Sequence, residues 1–117
     1  MNTIIELFSP ELLFLGKTGQ PYRGSVIVKY RHSENSIDML AFKRFITSLR
    51  STTLLFEDVP MTINEWIANN LKTTTDKIFV SVQLTARGGI QSNSYCGDDT
   101  LNVNIQHDKK LIFQIGE

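Results

Sequence analysis

FVSVQLTARGGI, residues Phe79–Ile90, is the stretch on which the fold turns. Val80, Val82 and Leu84 alternate with Ser81, Gln83 and Thr85, the period of a strand with one face on a core. The run ends in Arg87-Gly88-Gly89. Two glycines after a strand allow a sharp turn or a close backbone approach to a ligand, and the arginine sets a permanent cation at that turn. The remaining elements are expected to converge on this strand end.

A chain of 117 residues is expected to form one domain, with enough buried surface for a core without disulfides or metals. Its 12 basic and 12 acidic residues cancel, so no strong field draws it to nucleic acid or to an anionic membrane. A near-zero net charge does little to keep copies apart and is compatible with self-association. Cys96 is the single cysteine, which rules out an intrachain disulfide. The N-terminal run MNTIIELFSPELL lacks a basic segment and carries acidic residues early, unlike a signal peptide, and no apolar run approaches the length of a membrane span. The expected location is the cytoplasm, or a host cytoplasm for a viral protein.

Working outward, Thr3–Phe8 reads as a short strand stopped by Ser9-Pro10, and the run from Gly16 to Gly24 as turns. Ser25–Arg31 is dense in β-branched and aromatic residues and reads as a strand. Ile37–Arg50 switches to helical spacing, with Ile37, Ala41, Phe45 and Leu49 on one stripe and Ser36 as N-cap. A second helix is predicted over Phe56–Leu71, starting near Glu57 or Asp58 because Pro60 is tolerated only in a first turn. Its apolar stripe is Val59, Ile63, Trp66, Ile67 and Leu71. Gln91–Thr100 reads as a polar loop, and Leu101–Gln106 with Leu111–Ile115 as a closing hairpin around His107–Lys110. This order gives an α+β class, an antiparallel sheet with two consecutive helices on one face. The second face and the edges of such a sheet need cover, expected from another copy of the chain.

Several short runs then stand together: TGQP at Thr18–Pro21, the strand Ser25–Arg31, SLR at Ser48–Arg50, FED at Phe56–Asp58 and RGGI at Arg87–Ile90. In order and approximate spacing, over about residues 9–96, they resemble the QueF-type nitrile reductases, which convert 7-cyano-7-deazaguanine to 7-aminomethyl-7-deazaguanine in queuosine biosynthesis. The resemblance implies the tunnelling fold of the GTP cyclohydrolase I superfamily, assembly into an oligomeric barrel, sites between subunits, and NADPH as the family's cofactor.

The resemblance also locates the family's chemistry, and most of the chemical groups are absent. The nucleophilic cysteine that forms a thioimide falls at Leu15, whose isobutyl group is no nucleophile. The proton-transferring aspartate falls at Tyr22, whose phenol is far too weak an acid near pH 7 to replace it without a large shift. The histidine falls at Phe56. Glu57 stands where the family places the glutamate that anchors the base, and a carboxylate can accept two parallel hydrogen bonds from the N–H edge of a guanine-like ring. The same carboxylate would also suit a helix N-terminus without any ligand. The cofactor run is largely replaced by Asp38, Met39, Leu40, Ala41, Phe42 and Lys43, with Asp38 and Lys43 matching the acidic residue and last lysine. Arg87 is retained at the position that meets NADPH phosphates in the family; it would equally serve as a turn residue paired with a carboxylate.

Cys96 has no adjacent histidine or lysine to activate it, His32 and His107 lack metal-ligand spacing, and Asp98-Asp99 reads as a turn cap. The expectation is therefore a non-catalytic relative that binds a purine-, 7-deazaguanine- or pterin-like base or nucleotide. Its site would comprise Glu57, Phe56, Arg87, Gly88, Gly89, Tyr22 and Asp38, with Phe56 and Tyr22 stacking on the ring. The expected partners are further copies of itself and the small molecule, with no membrane and no direct nucleic-acid contact. Two other readings stand beside it: an NADPH-dependent reductase completed by another chain, and an oligomeric scaffold without a ligand.

Overall fold

One antiparallel sheet carries the fold in the computed structural model, which describes residues 3–86 and 88–103. Its strands are β1 (Ile4–Leu15), β2 (Pro21–Arg31), β3 (Ile78–Leu84) and β4 (Asn93–Gly97), side by side in that order. Helices α1 (Met39–Ser48) and α2 (Val59–Leu71) fall between β2 and β3 in the chain. They pack on the face formed by Leu7, Val26, Val28, Tyr30, Val80 and Val82, giving one core with Phe42, Ile46, Ile63 and Ile67. This is the α+β arrangement read from the sequence.

β1 runs through Ser9-Pro10, where the sequence suggested a stop. Ser9 pairs with Val26 and Leu12 with Gly24, so one extra residue is inserted between them. Such a bulge reverses the phase of the side chains. Leu7 therefore faces the core before it, and Leu12 and Phe14 face the core after it. β2 likewise starts at Pro21 rather than Ser25, because Tyr22 and Gly24 find partners in Phe14 and Leu12. Gly24 is where β2 and β3 lie closest: a Cβ there would sit 2.1 Å from the Gln83 carbonyl oxygen.

The helices are shorter than the periodic runs. Asp38, not Ser36, caps α1, accepting from the Leu40 N–H at 3.3 Å, and Ile37 is buried just outside the helix. The buried residues of α1 are Phe42 and Ile46, while Phe45 stacks on Trp66 at 4.8 Å and Leu40 stays exposed. α2 follows a 3-10 turn over Phe56–Asp58, with Pro60 in its first turn as expected, and buries Val59, Ile63, Ile67 and Leu71. Trp66 is only half-buried, at the seam between the two helices.

The predicted polar loop over Gln91–Thr100 is replaced in its middle by β4, paired with Phe79–Gln83. Asp99–Leu101 is a 3-10 turn, not the start of a strand; the rest of the predicted closing hairpin, with His107, lies outside the described residues. The centre of the sheet's second face, at Ser25, Ile27, Lys29, Phe79, Ser81 and Gln83, is buried within the single chain, while Ile4, Phe8 and Tyr95 on the same face stay exposed. There Lys29 Nζ donates to the Val103 carbonyl at 2.8 Å and pairs with Glu6 at 3.6 Å, so the buried cation is matched.

Candidate functional site

The antiparallel register brings the end of β1, the start of β2, the end of β3 and the start of β4 to one end of the sheet. The connection between the helices reaches the same end. Leu15 N–H donates to the Thr52 carbonyl at 3.0 Å, and the Leu15 carbonyl accepts from Leu54 N–H at 2.8 Å, a short parallel bridge. Two backbone bonds thus fix Leu15 beside the approach to α2. Its half-buried side chain brings no reactive group to that place.

The TGQP run forms a tight reversal next to it. Gly16 N–H donates to Gln20 and Gly19 N–H to Gly16, with Gly19 at φ 83°. Thr18 Oγ1 donates to Gln20 Oε1, and Gln20 Nε2 donates to the Tyr22 hydroxyl at 3.1 Å. The Tyr22 ring stacks on Phe14 with centroids 5.5 Å apart. A Cβ on Gly16 would come within 2.6 Å of the Tyr22 ring, so glycine makes room for it. The Tyr22 phenol is thus positioned on three sides, as a ring edge and a hydroxyl acceptor.

Phe56 and Glu57 follow in the turn that opens α2. Phe56 packs partly against the core, while Glu57 is exposed and has no side-chain partner among the described residues. Across the sheet end, Gly88 and Gly89 take φ values of 58° and 78°, the left-handed region that favours glycine, and no atom lies close to either. The turn conformation, not a crowded approach, is what calls for glycine there. Arg87 lies outside the described residues. The loop is anchored by Leu84 N–H on the Ser92 carbonyl at 2.9 Å and Thr85 N–H on the Arg23 carbonyl at 2.9 Å. Between it and β2 is an open groove of about 440 Å³, lined chiefly by Tyr22, Arg23, Leu84, Thr85, Ile90 and Ser92.

Tyr22, Phe56, Glu57, Gly88 and Gly89 therefore share one end of the sheet. Asp38 does not. It precedes α1 at the opposite end, beyond Ile37, whose backbone bonds Tyr30, and beside Asn35, which donates to the Leu71 carbonyl. The side chain of Asp38 is engaged in capping α1. Lys43 lies farther along α1, on a separate groove with Ser9, Glu11, Thr47 and Arg50, in which Arg50 pairs with Glu11 at 3.4 Å. Arg23 is the residue that the reading of the sequence passed over, because it lay inside a run taken as turns. Its place directly after Gln20-Pro21-Tyr22 was the available signal.

The remaining reactive groups are otherwise engaged. Burial pushes the Cys96 thiol above its ordinary pKa, against a weak bond from Asn64 Nδ2 at 3.6 Å, so it stays protonated near neutrality. Asp98 caps the 3-10 turn through Thr100 and pairs with Arg31 at 2.9 Å, which holds its carboxyl below the usual range. His32 is exposed at the far end, and among the described residues no three histidine, cysteine, aspartate or glutamate side chains gather around a point. Nor is any helix among them long and apolar enough to cross a membrane.

No family model matches the sequence, and a search of curated proteins finds no match. Among solved structures, the apo form of an archaeosine synthase QueF-Like superposes with a TM-score of 0.66. The fold is QueF-like. The superposition covers 80% of this chain and 90% of the synthase chain at 15% sequence identity. At that identity the likeness is one of fold, and it agrees with the α+β sheet and paired helices described above.

Proposed function

We propose that this chain is a QueF-like module that binds a purine-, 7-deazaguanine- or pterin-like base or nucleotide and does not reduce it. One observation carries the reading. Leu15, Tyr22 and Glu57, which match the nucleophile, proton-donor and base-anchor positions of the nitrile reductases, are gathered at one end of the sheet, and only the anchor keeps its chemical group. Similarity to a protein named as an archaeosine synthase supports the same ligand class.

Glu57 accepts the N–H edge of the base, and the Tyr22 and Phe56 rings supply stacking surface. In the single chain Glu57 is exposed, so a base held there needs a further wall. A second copy of the chain supplies it, and the working form is a homo-oligomer. No cysteine stands at this end among the described residues, and Asp38 and Lys43, the remnants of the cofactor run, lie elsewhere.

Calorimetry of the purified protein with guanine, guanosine, 7-deazaguanine and pterin tests the reading. At least one is expected to bind. Glu57→Gln, which turns one acceptor oxygen into a donor, is expected to weaken it by about 2 kcal/mol or more, roughly thirtyfold, without changing thermal stability. Absence of binding by all four refutes the proposal. Turnover in an NADPH-oxidation assay with 7-cyano-7-deazaguanine, by this chain alone, refutes its non-catalytic half.

A further inference from the structure

The groove beside the candidate base site has an unusual charge. Arg23 is the charged side chain among its described lining residues; Tyr22, Thr85 and Ser92 add hydroxyls, and Leu84 and Ile90 apolar surface. In two other grooves the arginine already holds a carboxylate: Arg31 pairs with Asp98 at 2.9 Å, and Arg50 with Glu11 at 3.4 Å. Arg23 has no carboxylate or carbonyl partner for its guanidinium among the described residues.

The position of Arg23 is also firmly set. Its carbonyl accepts from Thr85 N–H at 2.9 Å, and it stands between Tyr22, stacked on Phe14, and Gly24, where β2 and β3 approach too closely for any side chain. The backbone on both sides is thus fixed, and only the side chain is free to adapt. A guanidinium in a groove lined by hydroxyls, with no acid among the described lining residues, is suited to phosphate oxygens, which it engages through two parallel N–H donors.

We infer that Arg23 is a phosphate-binding residue, and that the ligand of this end of the sheet is phosphorylated. The naming of a nucleotide rests on the base-binding reading above; the anion site itself does not. Arg23 leaves β2 on the face of Ser25 and Ile27, opposite the helices and Glu57. It takes the phosphoryl group in the groove between β2 and the Gly88-Gly89 turn, and a base held by Glu57 lies around the end of the sheet from it.

The test uses the full chain and three probes in calorimetry: guanosine, guanosine 5′-monophosphate and inorganic pyrophosphate. The monophosphate is expected to bind at least about tenfold tighter than guanosine, with the advantage lost in Arg23→Ala and largely kept in Arg23→Lys. Pyrophosphate is expected to bind the wild type and not Arg23→Ala. The side chain is exposed, so the variants are expected to fold, and Arg23→Gln with a matched melting curve serves as the control. Pyrophosphate binding that depends on Arg23, with no binding of guanosine, guanine, 7-deazaguanine or pterin, sustains the anion site and refutes base binding. Equal affinity for guanosine and its monophosphate, unchanged by Arg23→Ala, overturns the inference and leaves base binding standing. If none of the three probes binds, the phosphate inference falls, and base binding is decided by guanine, 7-deazaguanine and pterin.

Discussion

Asn64 is fully buried in α2, and its amide ties together segments far apart in sequence. Nδ2 donates to the carbonyls of Thr75 and Ile78, each at 3.1 Å, and touches Cys96 Sγ. Its Oδ1 is buried with no partner, which lowers the net gain from the cluster. Asn64→Ala removes both bonds and opens a small cavity, and is expected to cost about 2–3 kcal/mol in urea unfolding. The adjacent thiol supplies an independent check. Because burial raises its pKa, Cys96 is expected to react with iodoacetamide at pH 7 much more slowly in the native protein than in urea. Fast native labelling would contradict the packing of this cluster. None of it was legible in the sequence, where Asn64 looked like one polar residue of a helix and Cys96 like part of a loop. A buried polar clamp is defined by the carbonyls it meets, and those belong to other elements.

Elements differ in how openly the sequence announces them. β3 was legible because Val80, Val82 and Leu84 alternate with polar residues on a buried sheet. β4, with the sequence NSYCG, has loop-forming composition, and its extended shape is imposed by pairing with Phe79–Gln83. β1 was cut short because the bulge at Ser9-Pro10 reverses the alternation, so Leu12 and Phe14 looked out of phase with Leu7. The exit from β4 shows the same dependence on partners. Gly97 has φ 98°, and a Cβ there would lie 1.6 Å from the Ile78 oxygen, so Gly97→Ala is expected to destabilise the protein by about 3 kcal/mol or more. Asp98 then clasps this exit to the end of β2 through Arg31. Its carboxyl is held low first by the Thr100 hydroxyl; burial, the next largest effect, opposes this, and Thr100 N–H and Arg31 lower it further. A folded-state pKa below the unfolded value, roughly 3.9, contributes stability above that pH and loses it as the pH falls through the folded value. Asp98→Asn should therefore lower the melting temperature at pH 7 and converge with the wild type in acid below the folded-state pKa. An equal difference at both pH values would show that the clasp acts through shape, not charge.

At the scale of the whole molecule, the sheet ends in two different edges. β4 offers five residues, β1 twelve, with Ile4 and Phe8 exposed along it. A long edge strand with apolar side chains is a template for pairing, and balanced charges do little to oppose it. The centre of the second face is buried within one chain, but Ile4, Phe8 and Tyr95 stay exposed at its margins, so what remains for another copy is those margins, the edges and the end that carries Glu57. This is why the proposed oligomer and the proposed ligand site are linked: an exposed carboxylate at a sheet end becomes a base-reading group only when another wall excludes water from it. Sedimentation of the 13.3 kDa chain is expected to give a multiple of that mass. Phe8→Lys, on a side chain 44% exposed, should shift it toward the monomer with little change in the monomer's own unfolding. Base binding at Glu57 should weaken in the same variant, although Phe8 lies well before the bulge, away from the Leu15 end of β1. A wild-type monomer across the micromolar range that still binds base through Glu57 would break that link and place the whole site within one chain.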